Sequence, residues 1–139
     1  MTNRSAPPGP VIPVLTYPDV RAAVDWLVSV LGFEPRVFIG PNHRAQLMFG
    51  AGSLIVADAS KDRRPPKRDV TTAAVMLRVD DAAAVLARAA AHGAEVIHGL
   101  EDHVYGERQA TFVDPGGHRW TLTQTLADVA PESWGGTTG

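Results

Sequence analysis

The chain lacks cysteine, which excludes a disulfide framework and thiolate chemistry. It also lacks an excess of charge of either sign, because 13 Lys and Arg side chains are balanced by 15 Asp and Glu, a net charge of −2. This balance argues against a nucleic-acid partner, which favours a strongly basic face. No apolar run approaches the roughly 18 residues that a membrane span needs, and residues 1–10 lack the apolar core of a signal peptide. We therefore expect a cytoplasmic protein with neither nucleic-acid nor membrane partners.

The length and the composition indicate one globular domain. Of the 139 residues, 45% are hydrophobic and 20% are charged, which is ordinary for a chain that buries a core. Residues 1–10 are polar and rich in proline, which predicts a disordered or loosely attached tail. The single domain is predicted at residues 11–126, followed by a second tail at 127–139.

Two helices are predicted from apolar spacing and from their end signals. Asp19 is a good N-cap for a helix whose apolar positions recur at helical spacing until Gly32. A second helix, "AAAVLARAAAH", begins after Asp80 or Asp81 and stops at Gly93. Short β-rich runs separated by turn signals predict the strands. These runs are "VIPVLTY", "PRVFIG", "RAQLMFG", "SLIVAD", "TTAAVMLRV", "AEVIHGL", "ERQATFVD" and "HRWTLTQT".

The order of these elements is an internal repeat. The spacing from Asp19 to Gly32 equals that from Asp80 to Gly93, and each half reads strand–helix–strand–strand–strand. The modules are predicted at 11–58 and 71–126, with residues 59–70 as a linker around Pro65-Pro66. A βαβββ unit leaves one sheet face uncovered by its helix. Two units therefore predict an α+β fold, with a curved mixed sheet, helices outside and a ligand cavity inside.

The repeat, the motif "D-x11-LGFE" in the first half and "YGERQATFVDPGGHRW" near the end resemble the vicinal-oxygen-chelate superfamily. This superfamily is also called glyoxalase/bleomycin-resistance/dioxygenase, and the second motif resembles its small bacterial glyoxalase-like branch. The resemblance covers about residues 11–125 and implies the paired βαβββ fold, usually in dimers. It does not fix an activity, because the fold hosts lyases, isomerases, dioxygenases, drug-modifying enzymes and binding proteins.

The resemblance also implies four positions for metal ligands, one on the first and one on the last strand of each half. Counting from the aspartates places them at Ile12, at Ala73 or Ala74, near Val56, and at Thr121. Divalent metals in such sites take imidazole nitrogen and carboxylate oxygen. None of these residues supplies either group, so we predict no metal and no other cofactor.

Strand alternation predicts which side chains line the cavity. These are Ile12, Val14, Thr16, Leu54, Val56, Met76, Phe112 and Thr121. Arg78 joins them if Ala74 points inward, and points away if Ala73 does. A slip of one residue in strand pairing would invert every such assignment. The predicted wall is apolar with a few hydroxyls, which suits a hydrophobic or aromatic molecule.

Polar residues near the end of the second half are further candidates. Tyr105 and Arg108 stand at the start of the penultimate strand, where a phenol and a guanidinium could orient a ligand. His98, Glu101, Asp102 and His103 form a polar run that could hold a metal, or could be a polar loop at a strand end.

Three functions remain open from the sequence. The favoured one is a metal-free homodimeric binder of a small organic molecule, with drug sequestration and antibiotic resistance as possible roles. The alternative is a lyase, isomerase or dioxygenase, either metal-dependent through the His98–His103 run or metal-free through Tyr105, His118 or Arg78. The third is a regulatory or structural subunit whose cavity is filled by side chains.

Overall fold

A computed structural model describes all residues, 1–139. The chain forms two compact units, the first comprising residues 1–70 and 115–118 and the second residues 71–114 and 119–139. Each unit contains one four-stranded sheet and one α-helix. None of the helices is long and apolar enough to span a bilayer.

The first unit is built around the sheet of the first module. Its strands stand in the order β1-β4-β3-β2, with β1 parallel to β4 and the other pairs antiparallel. The helix α1 continues into one π-helical turn, Leu27–Leu31, which ends at Gly32. The elements are β1 (Val14–Thr16), α1 (Val20–Trp26), β2 (Glu34–Ile39), β3 (Arg44–Phe49) and β4 (Gly52–Ala57).

The second unit repeats this arrangement. Its strand order is β5-β8-β7-β6, again with the first and last strands parallel. The elements are β5 (Ala74–Arg78), α2 (Ala82–Ala91), β6 (Glu95–Asp102), β7 (Glu107–Val113) and β8 (Arg119–Thr125). The predicted α+β class and the two βαβββ modules are confirmed.

Each helix begins at an aspartate whose side chain accepts a backbone N–H three residues on. Asp19 caps α1 through the N–H of Ala22, and Asp81 caps α2 through the N–H of Ala84, both at 3.1 Å. The cap satisfies one of the N–H groups that a helix start leaves without an intrahelical partner. Asp81, and not Asp80, is thus the capping aspartate of the second half. Counted from Asp81, the position on the first strand of this half that corresponds to Ile12 is Ala74.

One face of the first sheet packs against α1. Arg21 of α1 lies over the ring of Phe38, and Phe38 is paired with Ala45, which is itself paired with Val56. Side chains paired directly across strands point to the same face. This helix-side face forms the core of the first unit, and its most buried members are Ala45, Leu47, Leu54 and Val56.

The second sheet has a helix-side face of the same kind. Gln124 of β8 accepts a hydrogen bond from the N–H of Ala82 at the start of α2, at 2.9 Å. Trp120 and Leu122 alternate with Gln124 along β8 and are fully buried. The Trp120 indole donates to the buried Asp114 carboxylate at 2.9 Å. The opposite face of each sheet, away from its own helix, is called the open face below.

Both tails contact the units to which they belong. The segment 1–10 was predicted to be disordered or loosely attached, but Pro7 is buried and the carbonyl oxygens of residues 4, 5 and 8 accept hydrogen bonds from the first sheet. In the second unit, the ring of Trp134 lies 5.3 Å from that of Tyr105. Side-chain donors of the first sheet thus hold the N-terminal segment, and Trp134 contacts a ring of the second unit.

The Tyr105-Gly106 turn gives a test of local packing. Gly106 has φ +86°, and a Cβ placed there would lie 2.5 Å from the carbonyl oxygen of Ala127. Gly50 also has positive φ, +55°, but a Cβ there would have no neighbour within 4 Å. Gly50→Ala should therefore cost about 1–2 kcal/mol of unfolding free energy, from backbone conformation alone. Gly106→Ala should cost at least about 1 kcal/mol more, since it adds a steric overlap. Urea denaturation of both variants measures the difference, and equal costs would contradict this packing.

Candidate functional site

The open face of the second sheet carries most of the polar side chains that face away from a core. Pairing between β7 and β8 sets Thr111 opposite Thr121, Gln109 opposite Thr123 and Glu107 opposite Thr125. Parallel pairing sets Met76 of β5 beside Thr121 and Arg78 beside Thr123. The face therefore joins three strands. The central strand, β8, supplies a row of threonine hydroxyls, and the flanking strands β5 and β7 supply mostly larger side chains.

A chain of hydrogen bonds runs along this face. The Tyr105 hydroxyl donates to the amide oxygen of Gln109 at 3.0 Å, and the Gln109 amide nitrogen donates to the Thr123 hydroxyl at 3.2 Å. Thr123 donates in turn to Glu107 at 2.7 Å. Because each group both gives and receives, the chain fixes the orientation of the Gln109 amide.

Glu107 ends this chain and also holds Arg78. The Arg78 guanidinium lies 2.6 Å from the Glu107 carboxylate, and its Nη1 also donates to Thr125. Hydrogen bonds from Thr123 and Thr125, followed by the hydrogen bond and charge of Arg78, lower the pKa of Glu107 to about 2. The Arg78 side chain is nevertheless 63% exposed. Its guanidinium is held through Nη1, and the rest of this charged group remains accessible to solvent on the open face.

The middle of the open face is less polar. The Met76 side chain is 59% exposed, which is unusual for a large apolar residue in a sheet. The hydroxyls of Thr111 and Thr121 lie 3.0 Å apart and share one hydrogen bond. Met76 therefore presents a soft, polarizable apolar surface beside a pair of hydroxyls that bond each other.

A cleft of about 270 Å³ lies at the β6 side of this face. Pairing of β6 with β7 is irregular on both sides of His98, so the strand bends away there. The His103 ring stacks on that of Tyr105, with 4.9 Å between centroids and 3° between planes. The side chains that line the cleft include His98, Glu101, His103, Gln109 and Thr111.

Five of the predicted ligand-binding residues lie on an open face. Met76, Arg78 and Thr121 share that of the second sheet, as the alternation from Ala74 predicted. Val14 and Thr16 share that of the first sheet, because they pair with Ile55 and Ala57 rather than with the helix-side residues. Ile12 precedes β1 and is half-buried.

Three predicted lining residues lie on the helix side and not on the open face. Leu54 pairs with Leu47 and is buried. Val56 pairs with Leu15 and Ala45 and is fully buried on the helix side of the first sheet. Phe112 pairs with Trp120 and is also fully buried. In each case the observed pairing register is shifted by one residue from the register that the prediction assumed. A shift of one residue moves a side chain to the opposite face of the sheet.

Tyr105 and Arg108 do not act together at one edge. Tyr105 joins the open-face chain of hydrogen bonds through Gln109. Arg108 alternates with Glu107 and Gln109, so it points to the helix side, where its guanidinium binds the Asp102 carboxylate at 2.6 and 3.1 Å. This ion pair lowers the pKa of Asp102 and raises that of Arg108. His118 lies elsewhere, in the first unit, with its Nε2 2.6 Å from the Thr16 carbonyl oxygen.

The metal positions inferred from the resemblance do not supply metal donors. Ile12, Ala74 and Val56 are apolar, and the single hydroxyl of Thr121 already bonds Thr111. Across residues 1–139, no group of three or more His, Asp or Glu side chains is arranged to hold a metal ion. The residues at these positions therefore do not fit the divalent ion that the superfamily's enzymes use.

The comparisons with known proteins decide the family. The model of the Glyoxalase/Bleomycin resistance protein/Dioxygenase superfamily matches residues 11–122. This chain belongs to that superfamily. The resemblance inferred from the βαβββ repeat and the "YGERQATFVDPGGHRW" motif is thereby confirmed.

Two individual relatives illustrate the likeness within the superfamily. The uncharacterized protein Mb0911c of Mycobacterium bovis is 30% identical in an alignment of length 131 that covers 84% of this chain and 84% of that protein. The solved structure of TioX from Micromonospora sp. ML1 is 31% identical, with a TM-score of 0.67 over 86% of this chain and all of that one.

A more distant structure shares the fold alone. A glyoxalase/bleomycin resistance protein/dioxygenase from Nocardioides is 19% identical, with a TM-score of 0.64 over 96% of this chain and 91% of that one.

Several open-face residues were not identified from the sequence. Glu107, Gln109, Thr123 and Thr125 connect Tyr105 to Arg78, yet none was a candidate. A signal was present, because "ERQAT" and "TLTQT" place polar residues at every second position. Such alternation is typical of a strand with one polar face, but it does not reveal which polar residues bond each other.

The acid dependence of stability tests the role of Glu107. Its pKa is lowered from 4.5 to about 2 in the folded chain. The ionised carboxylate therefore stabilises the fold fully above about pH 4.5, and this contribution is lost as the pH falls from there towards 2. Glu107→Gln should be less stable than the parent chain at pH 7, and the difference should shrink below about pH 4.5.

Thermal unfolding between pH 7 and pH 3 measures this difference. Glu34→Gln, a change at an exposed carboxylate at the start of β2, is the control and should show little difference at any pH. A Glu107→Gln deficit that is independent of pH would contradict the assignment.

Proposed function

We propose that this superfamily member is a metal-independent binder of a small organic molecule with a hydrophobic or aromatic body. The open face of the second sheet carries the proposal. There, exposed Met76 lies among side chains whose hydrogen bonds are already arranged, with Arg78 held at one end by Glu107. Such a face offers apolar contact and a few fixed polar groups, which is the usual composition of a small-molecule site.

The donor set supports the metal-independent part of the proposal. Thr121 stands at a position where the resemblance implies a metal ligand, and its hydroxyl pairs with Thr111 instead. Neutral hydroxyls and aliphatic groups are poor ligands for the borderline divalent metals, which favour imidazole and carboxylate. Sequestration of a drug or of a planar metabolite, by a homodimer, is the physiological role that this proposal favours.

Metal analysis tests this half of the proposal. Tag-free protein should contain no stoichiometric nickel, zinc, manganese or iron by elemental analysis, and a chelator should leave its unfolding temperature unchanged. Both the absence of metal and the unchanged unfolding temperature follow if the chain has no group of side chains that can coordinate a divalent metal ion. Stoichiometric metal that is lost together with thermal stability on chelation would overturn it and would direct attention to His98, Glu101 and His103.

Ligand binding tests the other half. An aromatic probe such as anilinonaphthalene sulfonate, followed by a panel of aromatic drugs and metabolites, should raise the unfolding temperature. Met76→Asp should weaken binding by roughly tenfold, because it removes the apolar surface that the ligand would cover. Val70→Asp is the matched control, since Val70 is 53% exposed and lies outside both sheets. Equal losses in the two variants would count against the open face as the site.

Metal-free acid–base catalysis is a second candidate, and the cleft beside β6 favours it. His98, Glu101 and His103 line one space of about 270 Å³, next to the Tyr105 hydroxyl. Imidazoles exchange protons near neutral pH, and a cleft that gathers two of them with a carboxylate can position a general base. Formation of a product from a bound molecule would favour this candidate over simple binding.

A further inference from the structure

Residues 4–8 lie across the open face of the first sheet. Three side chains of that sheet donate hydrogen bonds to main-chain carbonyl oxygens of this segment, at 2.6–2.9 Å. The donors and acceptors are Arg36 to Arg4, Gln46 to Ser5, and Ser53 to Pro8. Gln46 and Ser53 pair with Ile55 and Met48 across their strands, so they belong to the open face and not to the core beneath α1.

Two of the three donors are also bonded to each other. Arg36 Nη1 donates to the amide oxygen of Gln46, so the amide nitrogen of Gln46 is the atom that points to the segment. Gln46 is only 4% exposed, which is rare for a glutamine unless both ends of its amide are satisfied. A buried, fixed donor of this kind is costly to leave without an acceptor.

The recognition uses the main chain of the segment and one proline ring. All three acceptors are backbone carbonyls, so these bonds do not depend on the identity of the side chains that the segment carries. Pro7 is buried, whereas its neighbours Ala6 and Pro8 are exposed. The segment turns just before this proline, because the Ala6 N–H donates to the Asn3 carbonyl oxygen at 3.2 Å. Proline fixes φ, which lowers the entropy lost on docking. The segment is thus held by a row of donors and by one buried apolar ring, whose place is called the slot below.

The two open faces differ in this respect. In the second sheet, the residues that correspond to Gln46 and Ile55 are Thr111 and Thr121, whose hydroxyls bond each other. In the first sheet, the donor of Gln46 is satisfied only by the carbonyl of Ser5. The first face therefore presents a donor whose acceptor lies outside the sheet.

We propose that the open face of the first sheet is a binding groove for a peptide segment that carries a proline just after a tight turn, and that residues 4–8 are its resident occupant. The groove selects main-chain carbonyls through Arg36, Gln46 and Ser53, and selects a proline ring through the slot that holds Pro7. Release of residues 4–8 opens the groove to a second peptide of the same character. This site is separate from the small-molecule face of the second sheet and does not depend on it.

The test uses full-length variants and a synthetic peptide of residues 2–10, acetylated and amidated at its ends and labelled for fluorescence anisotropy. Pro7→Asp introduces a charge into the slot, so it should release the resident segment while leaving the groove unchanged. Pro10→Asp makes the same chemical change at an exposed position of the same tail and is the control. The peptide should bind the Pro7→Asp chain at least about tenfold more tightly than the parent or Pro10→Asp chain, because only there is the groove free.

Two further variants show that binding occurs at the groove. Gln46→Ala combined with Pro7→Asp should lose the peptide, and a peptide that itself carries Pro7→Asp should not bind. Release of the segment is measured separately with Ser53→Cys. The chain has no other thiol, so the rate of thiol labelling reports access to position 53. Labelling should be faster when Pro7→Asp is also present than when Pro10→Asp is.

Two outcomes would overturn the proposal. Unchanged labelling would show that Pro7 does not hold the segment over the face. Faster labelling without peptide binding would show that the uncovered face is not a groove for such a chain. Neither outcome bears on aromatic probes at Met76, so a failure here is distinguishable from a failure of the proposed function.

Discussion

The indole of Trp120 is fully buried and donates its N–H to the carboxylate of Asp114, which is 1% exposed. Trp120 stands on β8, which pairs with β5 on one side and β7 on the other. Since a strand alternates its side chains, fixing Trp120 on the helix side obliges Thr121 and Thr123 to face the other way. A shift of one residue would place the indole in solvent and the threonines in the core, and the buried hydrogen bond would be lost. The open face of the second sheet follows from this constraint.

The polar groups of that face are held by one another and not by water alone. Glu107 accepts from Thr123, Thr125 and Arg78, and these contacts keep it ionised to well below neutral pH. A ligand that arrives there meets side chains that need little reorganisation, which reduces the entropic cost of binding. Exposed Met76 supplies the apolar contact that this rigid polar frame lacks. The proposed binding of an organic molecule rests on this combination of fixed polar atoms and a soft apolar centre.

The repeat produces two sheets with the same strand order but different surfaces. Corresponding positions on the open faces hold Thr111 and Thr121 in one sheet and Gln46 and Ile55 in the other. The first pair shares one hydrogen bond, whereas Gln46 bonds Arg36 within its sheet and Ser5 outside it. A small change of side-chain chemistry at equivalent backbone positions therefore separates a face left uncovered from a face covered by the chain's own segment.

Local signals in the sequence were enough to predict the architecture. The capping residues Asp19 and Asp80 or Asp81, the closing glycines, the apolar periodicities and the turn signals predicted eight strands, two helices and the βαβββ repeat. These signals are local, since capping, periodicity and turn conformation depend on neighbours in the chain. The pairing between strands, and with it the faces of Val56 and Phe112, became apparent only in the folded chain. The same holds for the bonds from Glu107 to Arg78 and from Gln46 to Ser5, because they join residues 29 and 41 positions apart, which no local pattern encodes.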